Sequence, residues 1–213
     1  MTERGMIFNS EMVRAILDGR KTQTRRPVKF PVHDKNLGCE LAGNELAGEL
    51  SAGNYLNSAF GKPGDRIWVR ETFRVHSRAT DVATLVYKAS VQNSWTEQTH
   101  RVPVAVCNKP ATPEKWTPSL HMPRWASRIL LEITDVRVER LNTISEEDAR
   151  AEGIIDGGCL NCGEPEPCGC ANPDPDATDA FAYLWQSIYG QENWNANPWV
   201  WVIEFKRVEG GAA

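Results

Sequence analysis

The segment that closes the chain, NPWVWVIEFKRV at 197–208, constrains the fold more than any other. Trp199, Trp201 and Ile203 alternate with Val200 and Val202, so an extended strand here is apolar on both faces. Such a strand is covered on both sides in a folded protein. We therefore expect a central strand at this end of the sequence.

Three more segments combine β-forming residues with an alternation of apolar and polar positions. They lie at 62–75, 84–90 and 127–141. The first begins with a Pro-Gly-Asp turn, and the second is its expected partner strand. These segments predict a β-rich framework.

Helical periodicity appears in three places, which are 10–18, 145–152 and 179–190. Ser10 is the expected N-cap of the first helix. Ser145 opens the second in a capping box with Asp148, and Gly153 is suited to ending it. The helices are short and do not alternate regularly with the strands.

Strands that outnumber helices, without βαβ alternation, favour an α+β fold built as a small mixed β-barrel with peripheral helices. The 213 residues suffice for one domain. Polar stretches at about 34–60, 90–118 and 156–177 are expected to be insertions. We expect the first to be loop or partly helical, and the second to be loop.

Charge and hydropathy limit the classes of partner. The chain has 24 basic and 28 acidic residues and a net charge of -4, which argues against a non-specific coat for polyanions. A local basic site is still compatible with this balance, since fields depend on charge distribution. No leader peptide or apolar run of membrane-spanning length is evident, which predicts a cytoplasmic protein without a membrane partner.

Positive charge is concentrated in GRKTQTRRP at 19–27. Arg20 and Lys21 follow a predicted helix end, where cations stabilise the helix dipole. Arg25 and Arg26 exceed that need. They suit contact with substrate phosphate, as Arg20 does, or ion pairs with the acidic helix at 145–152.

A second candidate binding cluster lies in SLHMPRWASR at 119–128. His121, Arg124 and Trp125 combine an aromatic ring with cationic groups, which is how proteins hold single-stranded bases. The alternative is a Trp125 that packs in the core.

Four of the cysteines lie close together in CLNCGEPEPCGC. Cys159, Cys162, Cys168 and Cys170 can close a tetrahedral site for structural zinc. The alternative is free thiols in an acidic loop.

Several of these motifs, taken in order, resemble the ASCH domain family. They are the helix followed by GRKTQTRR, the KPGDRIWVRETF turn and strand, ITDVRVERLNTISEEDARAEGI, and PWVWVIEF. The family has a PUA-like β-barrel associated with RNA, and the tryptophan-rich chain with long insertions resembles members carried by phages and prophages. The resemblance covers both ends and the middle of the chain and leaves the three insertions unexplained.

Some small members of that family are amidohydrolases that remove the acetyl group of N4-acetylcytidine. The resemblance implies catalytic roles for Lys21 and Thr24, in GRKTQT, and for Glu152, late in the SEEDARAEG helix. It implies a modified nucleoside or RNA as substrate and no cofactor for the reaction. Other members are ribonucleases or only bind RNA, so both functions stay open as alternatives.

Two catalytic schemes are compatible with these residues. In the first, Lys21 with a lowered pKa is the base for a Thr24 nucleophile, and Glu152 orients the lysine or protonates the leaving amine. In the second, Glu152 activates a water, Lys21 polarises the carbonyl and Thr24 positions the substrate. Positions three apart face opposite sides of a straight strand, so Lys21 and Thr24 converge only if the segment turns or bulges.

Overall fold

Ten strands and six α-helices make up the part of the chain that the computed structural model describes, which is residues 1–155, 162, 169–171 and 176–208. The strands are β1 (Glu3–Ile7), β2 (Gln23–Pro27), β3 (Val32–His33), β4 (Glu40–Leu41), β5 (Arg66–Arg70), β6 (Phe73–Arg78), β7 (Val82–Tyr87), β8 (Thr99–Pro103), β9 (Leu130–Arg140) and β10 (Trp199–Arg207). The helices are α1 (Ser10–Leu17), α2 (Gly43–Ser51), α3 (Trp95–Gln98), α4 (Glu146–Ala151), α5 (Ala177–Tyr189) and α6 (Gln191–Asn195).

The mixed α/β composition expected from the sequence is confirmed. The described strands form three sheets, and none of the three is closed into a barrel. None of the described helices has the length and apolar character needed to cross a membrane.

Two compact units share the chain, and each is discontinuous in sequence. The first contains 1–19, 64–132 and 206–213, and the second contains 20–63 and 133–205. Strands β9 and β10 each contribute residues to both units.

The first unit is organised around two sets of paired strands. Strand β1 runs parallel to β5, and β5 pairs antiparallel with the start of β9. Strands β6, β7 and β8 form an antiparallel sheet in that order. Phe73, Leu85 and Tyr87 are fully buried in the core beside this sheet.

The second unit contains the predicted central strand. Strand β10 pairs antiparallel with β2 and also neighbours β9. Val200 and Val202 are fully buried, and they pack in a core with Phe181 and Trp185 of α5. Burial of both faces of β10 confirms the inference from its sequence.

Some expected boundaries were wrong. Asn9, not Ser10, caps α1, because the Asn9 side chain accepts a hydrogen bond from the Met12 amide at 2.8 Å. The 90–118 insertion, expected to be loop, contains α3 and β8. The segment 62–75 divides between two strands, β5 and β6, which belong to different sheets.

Candidate active site

Lys21 and Glu152, 131 residues apart, form a buried ion pair in the second unit. The lysine Nζ donates to the Glu152 side-chain Oε2 at 2.7 Å and to the Glu152 carbonyl oxygen at 2.8 Å. The two residues are 2% and 5% exposed. Their backbones also form an isolated antiparallel β-bridge.

The local structure of α4 explains how Glu152 reaches Lys21. The Ser145 hydroxyl accepts from the Asp148 amide at 3.1 Å and caps the helix, as its sequence predicts. Glu152 is the C-cap, and the chain turns at Gly153 with a φ of 88°, which favours glycine. The Thr22 amide donates to the Ala151 carbonyl at 2.8 Å and joins the helix end to the start of β2.

Arg25 connects Glu152 to two further carboxylates. Its side chain is 0% exposed and lies 3.2 Å from Glu152 Oε1, 2.7 Å from Glu139 Oε1 and 3.1 Å from Asp148 Oδ2. Of the two uses considered for Arg25, the structure shows the ion pair with the acidic helix. The guanidinium is therefore engaged by protein carboxylates and is not exposed to contact substrate phosphate.

Both oxygens of Glu152 are consequently occupied by cations, Oε2 by Lys21 and Oε1 by Arg25. Burial lowers the pKa of Lys21 below its usual range, and Arg26 and Arg25 lower it further, while Glu152 opposes the shift. A lysine with a lowered pKa can act as a base. Such shifts are typical of functional sites, although structural ion pairs also produce them.

Asp148, Glu139 and Arg137 extend the network around Arg25. Arg137 donates to Asp148 at 3.1 Å and to Glu139 at 3.3 Å, and it also pairs with Glu204. Burial disfavours the ionised form of Asp148, but Arg25 and Arg137 outweigh it and hold the pKa of that carboxyl below its usual range. Asp148 belongs to the acidic helix that the sequence offered as an ion-pair partner of Arg25, whereas Glu139 of β9 was not anticipated from the sequence. The sequence signal that could have identified both carboxylates is the excess of acidic residues at 139–152, which matches the excess of cations at 19–27.

Thr24 is in β2 opposite Ile203 and is 2% exposed. Strand alternation places it on the other face of β2 from Gln23 and Arg25, which both contact α4. Among the described residues, the Thr24 hydroxyl makes no hydrogen bond with Lys21 or Glu152. Its catalytic role therefore stays a prediction.

Arg26 and Pro27, at the end of β2, border a cavity of about 460 Å³ in the second unit. Phe60, Tyr189 and Trp201 supply aromatic walls, and Arg26 and Lys29 supply cations. Phe60 and Trp201 meet edge to face with ring centroids 5.8 Å apart. The lining fits an aromatic ligand that carries negative charge.

Arg20, the remaining candidate of the cationic run, is exposed. Its guanidinium donates to the Gly153 carbonyl at 2.9 Å, directly after Glu152. Arg20 therefore holds the chain that follows the catalytic candidate in place.

His121, Arg124 and Trp125 belong to the first unit. Arg124 pairs with Glu3 at 2.9 Å, and Trp125 packs edge to face against Phe73 with centroids 6.4 Å apart. His121 ends a short 3-10 turn. The core-packing alternative therefore describes Trp125.

The predicted zinc site lies partly outside the described residues. Cys159 and Cys168 are not described, whereas Cys162 is exposed and Cys170 is partly exposed. No group of metal ligands occurs in the described part of the chain. The zinc site stays a prediction.

Comparison with protein-family models, with curated proteins and with solved structures found no match for this chain. Membership of the ASCH family, expected from the motifs, therefore stays a prediction.

Proposed function

We propose that this chain is an amidohydrolase that removes an acyl group from the exocyclic amine of a modified cytidine, such as N4-acetylcytidine, free or in RNA. The observation that carries the proposal is the buried pair of Lys21 and Glu152. These are the two residues that the resemblance selects from segments far apart in sequence. We further propose that the chain belongs to the ASCH family and forms a single PUA-like β-barrel domain over residues 1–213.

The proposed reaction is hydrolysis of an amide. Water adds to the carbonyl carbon, the bond from that carbon to the exocyclic nitrogen breaks, and the acyl group leaves as a carboxylic acid. The cytidine amine takes up a proton as it leaves. A base, a proton donor and a cation beside the developing oxyanion are the groups that this reaction needs.

The contacts favour Lys21 as the base and Glu152 as the residue that orients it. Glu152 accepts hydrogen bonds from both Lys21 and Arg25, so each of its side-chain oxygens is already engaged by a cation. Lys21 has a lowered pKa, so the neutral amine is accessible at a lower pH than for an exposed lysine. After it accepts a proton, the lysine is again paired with Glu152 and can return the proton to the leaving amine.

Two nucleophiles are compatible with this base. Water is the direct choice, whereas Thr24 requires that its hydroxyl approach Lys21 when substrate is bound. Thr24→Ser retains a hydroxyl and Thr24→Ala removes it. A Thr24 nucleophile predicts partial activity in the serine variant and loss in the alanine variant, and a water nucleophile predicts substantial activity in both.

The deciding experiment is incubation of the purified chain with N4-acetylcytidine and related acylated cytidines, with products identified by mass. Wild type should release cytidine, and Lys21→Ala and Glu152→Gln should each lose most of the turnover. If the residues act as one unit, the double variant should be little worse than either single variant. Lys21→Arg should also fail, because arginine stays protonated.

Matched controls separate chemistry from folding. Lys88→Ala removes an exposed lysine, and Thr22→Ala removes the exposed threonine nearest in sequence to Lys21; both should retain turnover. Thermal melts should show that the inactive variants are folded. Full activity in Lys21→Ala, or no product from wild type with any acylated cytidine, would refute the proposal.

The cavity beside Arg26 supports a second candidate function, which is binding of a nucleotide or modified base without hydrolysis. Its aromatic walls and two cations suit a base with a phosphate, and its lining includes neither Lys21 nor Glu152. Titration with cytidine monophosphate, followed by tryptophan fluorescence, tests it. Binding that survives Lys21→Ala but is lost in Arg26→Ala, with no turnover by wild type, would favour this function over hydrolysis.

A further inference from the structure

An extended segment of the first unit presents arginine and tryptophan side chains on one face. From Asp65 to His76 the residues alternate between buried and partly exposed without interruption, although the segment passes from β5 to β6. The partly exposed positions are Arg66, Trp68, Arg70, Thr72, Arg74 and His76. We use the term cationic face for Arg66, Trp68, Arg70, Arg74 and the adjoining Trp116.

Two of these guanidinium groups are held against indole rings. Arg70 lies 5.4 Å from the ring centroid of Trp68, and Arg74 lies 4.7 Å from that of Trp116. Arg70 also donates to the Leu120 carbonyl, and Arg74 to the Pro113 carbonyl. Stacking and carbonyl contacts fix the two side chains without neutralising their charge.

The neighbouring strand β1 is shaped to admit these side chains. Gly5 of β1 pairs with Trp68, and a Cβ at that position would lie 2.5 Å from Trp68 Cζ2 and 2.9 Å from Arg70 Cδ. Only glycine leaves the indole and the arginine stem room to lie across β1. Gly5 thus leaves room for the partly exposed Arg70 to lie over the ring of Trp68.

Charge pairing distinguishes these arginines from others in the same unit. Arg128 forms a two-pronged pair with Glu71, and Arg124 pairs with Glu3. Among the described residues, Arg70 and Arg74 form no salt bridge, whereas Arg66 lies opposite Glu132 in the pairing of β5 with β9 and interacts with it electrostatically. Arg70 and Arg74 therefore carry charge that no carboxylate of the described protein neutralises.

We propose that the cationic face binds single-stranded nucleic acid. Arginines four residues apart in an extended strand, as Arg66 and Arg70 are in β5, lie about 13 Å apart. Cations interleaved with aromatic rings match the way single strands are held, with guanidinium groups on phosphates and rings and arginine planes on bases. This inference does not depend on the proposed hydrolysis, because it rests on other residues in the other unit.

The test is fluorescence anisotropy with labelled oligonucleotides of about 12 nucleotides, as single-stranded RNA, single-stranded DNA and duplex DNA, over a range of salt concentrations. Both single strands should bind more tightly than the duplex, and the two single-stranded arms show whether the face prefers RNA or DNA. Arg70→Ala/Arg74→Ala should reduce the slope of log K against log salt by about 1.4, the value for two lost phosphate contacts. Trp116→Ala should weaken binding about five-fold or more, the lower end for one stacked base.

Two further variants keep the proposal falsifiable. Arg70→Lys/Arg74→Lys preserves charge but not the planar group, so it should keep the salt slope and lose affinity. Lys88→Ala/Arg207→Ala removes two exposed charges of the same unit outside the 65–76 segment and should change binding little. An unchanged slope in the alanine double variant would overturn the proposal. So would binding of duplex DNA, or of poly-glutamate as a polyanion without bases, that is as tight as binding of the single strands.

Discussion

Glu152 pairs with two buried cations, Lys21 through Oε2 and Arg25 through Oε1. Both cations therefore fix the position of this carboxylate in the candidate site. Arg25 also neutralises Glu139 and Asp148. A buried cation among three carboxylates cannot be removed without leaving uncompensated charge. Breaking such a network is far more costly than its net contribution to stability suggests.

Arg25→Met is therefore expected to lower the free energy of unfolding by about 3–5 kcal/mol, measured by urea denaturation. Arg25→Met/Glu152→Gln is the matched control, because it also removes the negative charge of one of the three carboxylates that pair with Arg25. The double variant should recover part of the loss. A single variant as stable as wild type would mean that the carboxylates find other partners.

The lowered pKa of Lys21 predicts a specific dependence of stability on pH. Between that lowered pKa and about 10.5, the unfolded lysine is protonated and the folded one is not, so the unfolded state binds more protons and stability rises with pH. At lower pH both forms are protonated, and the full cost of burying the charge applies.

In this window, wild type should gain up to about 1.4 kcal/mol per pH unit relative to Lys21→Met. Urea denaturation of both proteins at successive pH values gives the difference, in which the other titrating groups cancel. Parallel stability curves for the two proteins would show that the pKa of Lys21 is not lowered.

At the scale of elements, two glycines of α2 have opposite environments. A Cβ on Gly43 would lie 2.2 Å from Trp199 Nε1, whereas a Cβ on Gly48 would meet nothing within 4 Å. Trp199 has little freedom to yield, because Arg140 lies 4.4 Å from its ring centroid. Gly43 is thus a site of close packing between α2 and β10, and Gly48 is a surface position.

Gly43→Ala should therefore destabilise the protein by about 1–3 kcal/mol through overpacking. Gly48→Ala, its matched control, should stabilise it by about 0.5–1 kcal/mol, because alanine loses less backbone entropy in a helix. Chemical denaturation measures both. Equal effects of the two substitutions would contradict the proposed contact with Trp199.

Elements specified by nearby residues were predictable from the sequence, and those specified by distant pairing were not. Ser145 and Gly153 mark the two ends of α4. Each acts locally, Ser145 as the N-cap and Gly153 as the turn that follows the helix. Strand β8 was missed because it has one buried apolar residue, Val102, and is defined by its pairing with β7. The resemblance to the ASCH family suggested that Lys21 and Glu152 act together. The burial of Arg25 was not predicted, because it depends on carboxylates from β9 and α4, which are distant in sequence, as well as on Glu152.

At the scale of the whole molecule, the cysteine cluster between α4 and α5 is the clearest candidate for a ligand-dependent contribution to stability. If its four thiolates bind zinc, metal analysis of protein purified without chelator should find about one zinc per chain. A chelator should then lower the melting temperature, and Cys159→Ser should abolish that effect. Four titratable thiols and no zinc would contradict the prediction.

The division of β10 between the two units has a consequence for synthesis on the ribosome. Strand β2 pairs with β10, and residues after 205 belong to the first unit, so neither unit is complete until the last strand has been made. At about 5–20 residues per second, translation from β2 to β10 takes roughly 10–40 s. During that interval the nascent chain carries β2 without its partner strand, and we expect it to engage chaperones until β10 has been made.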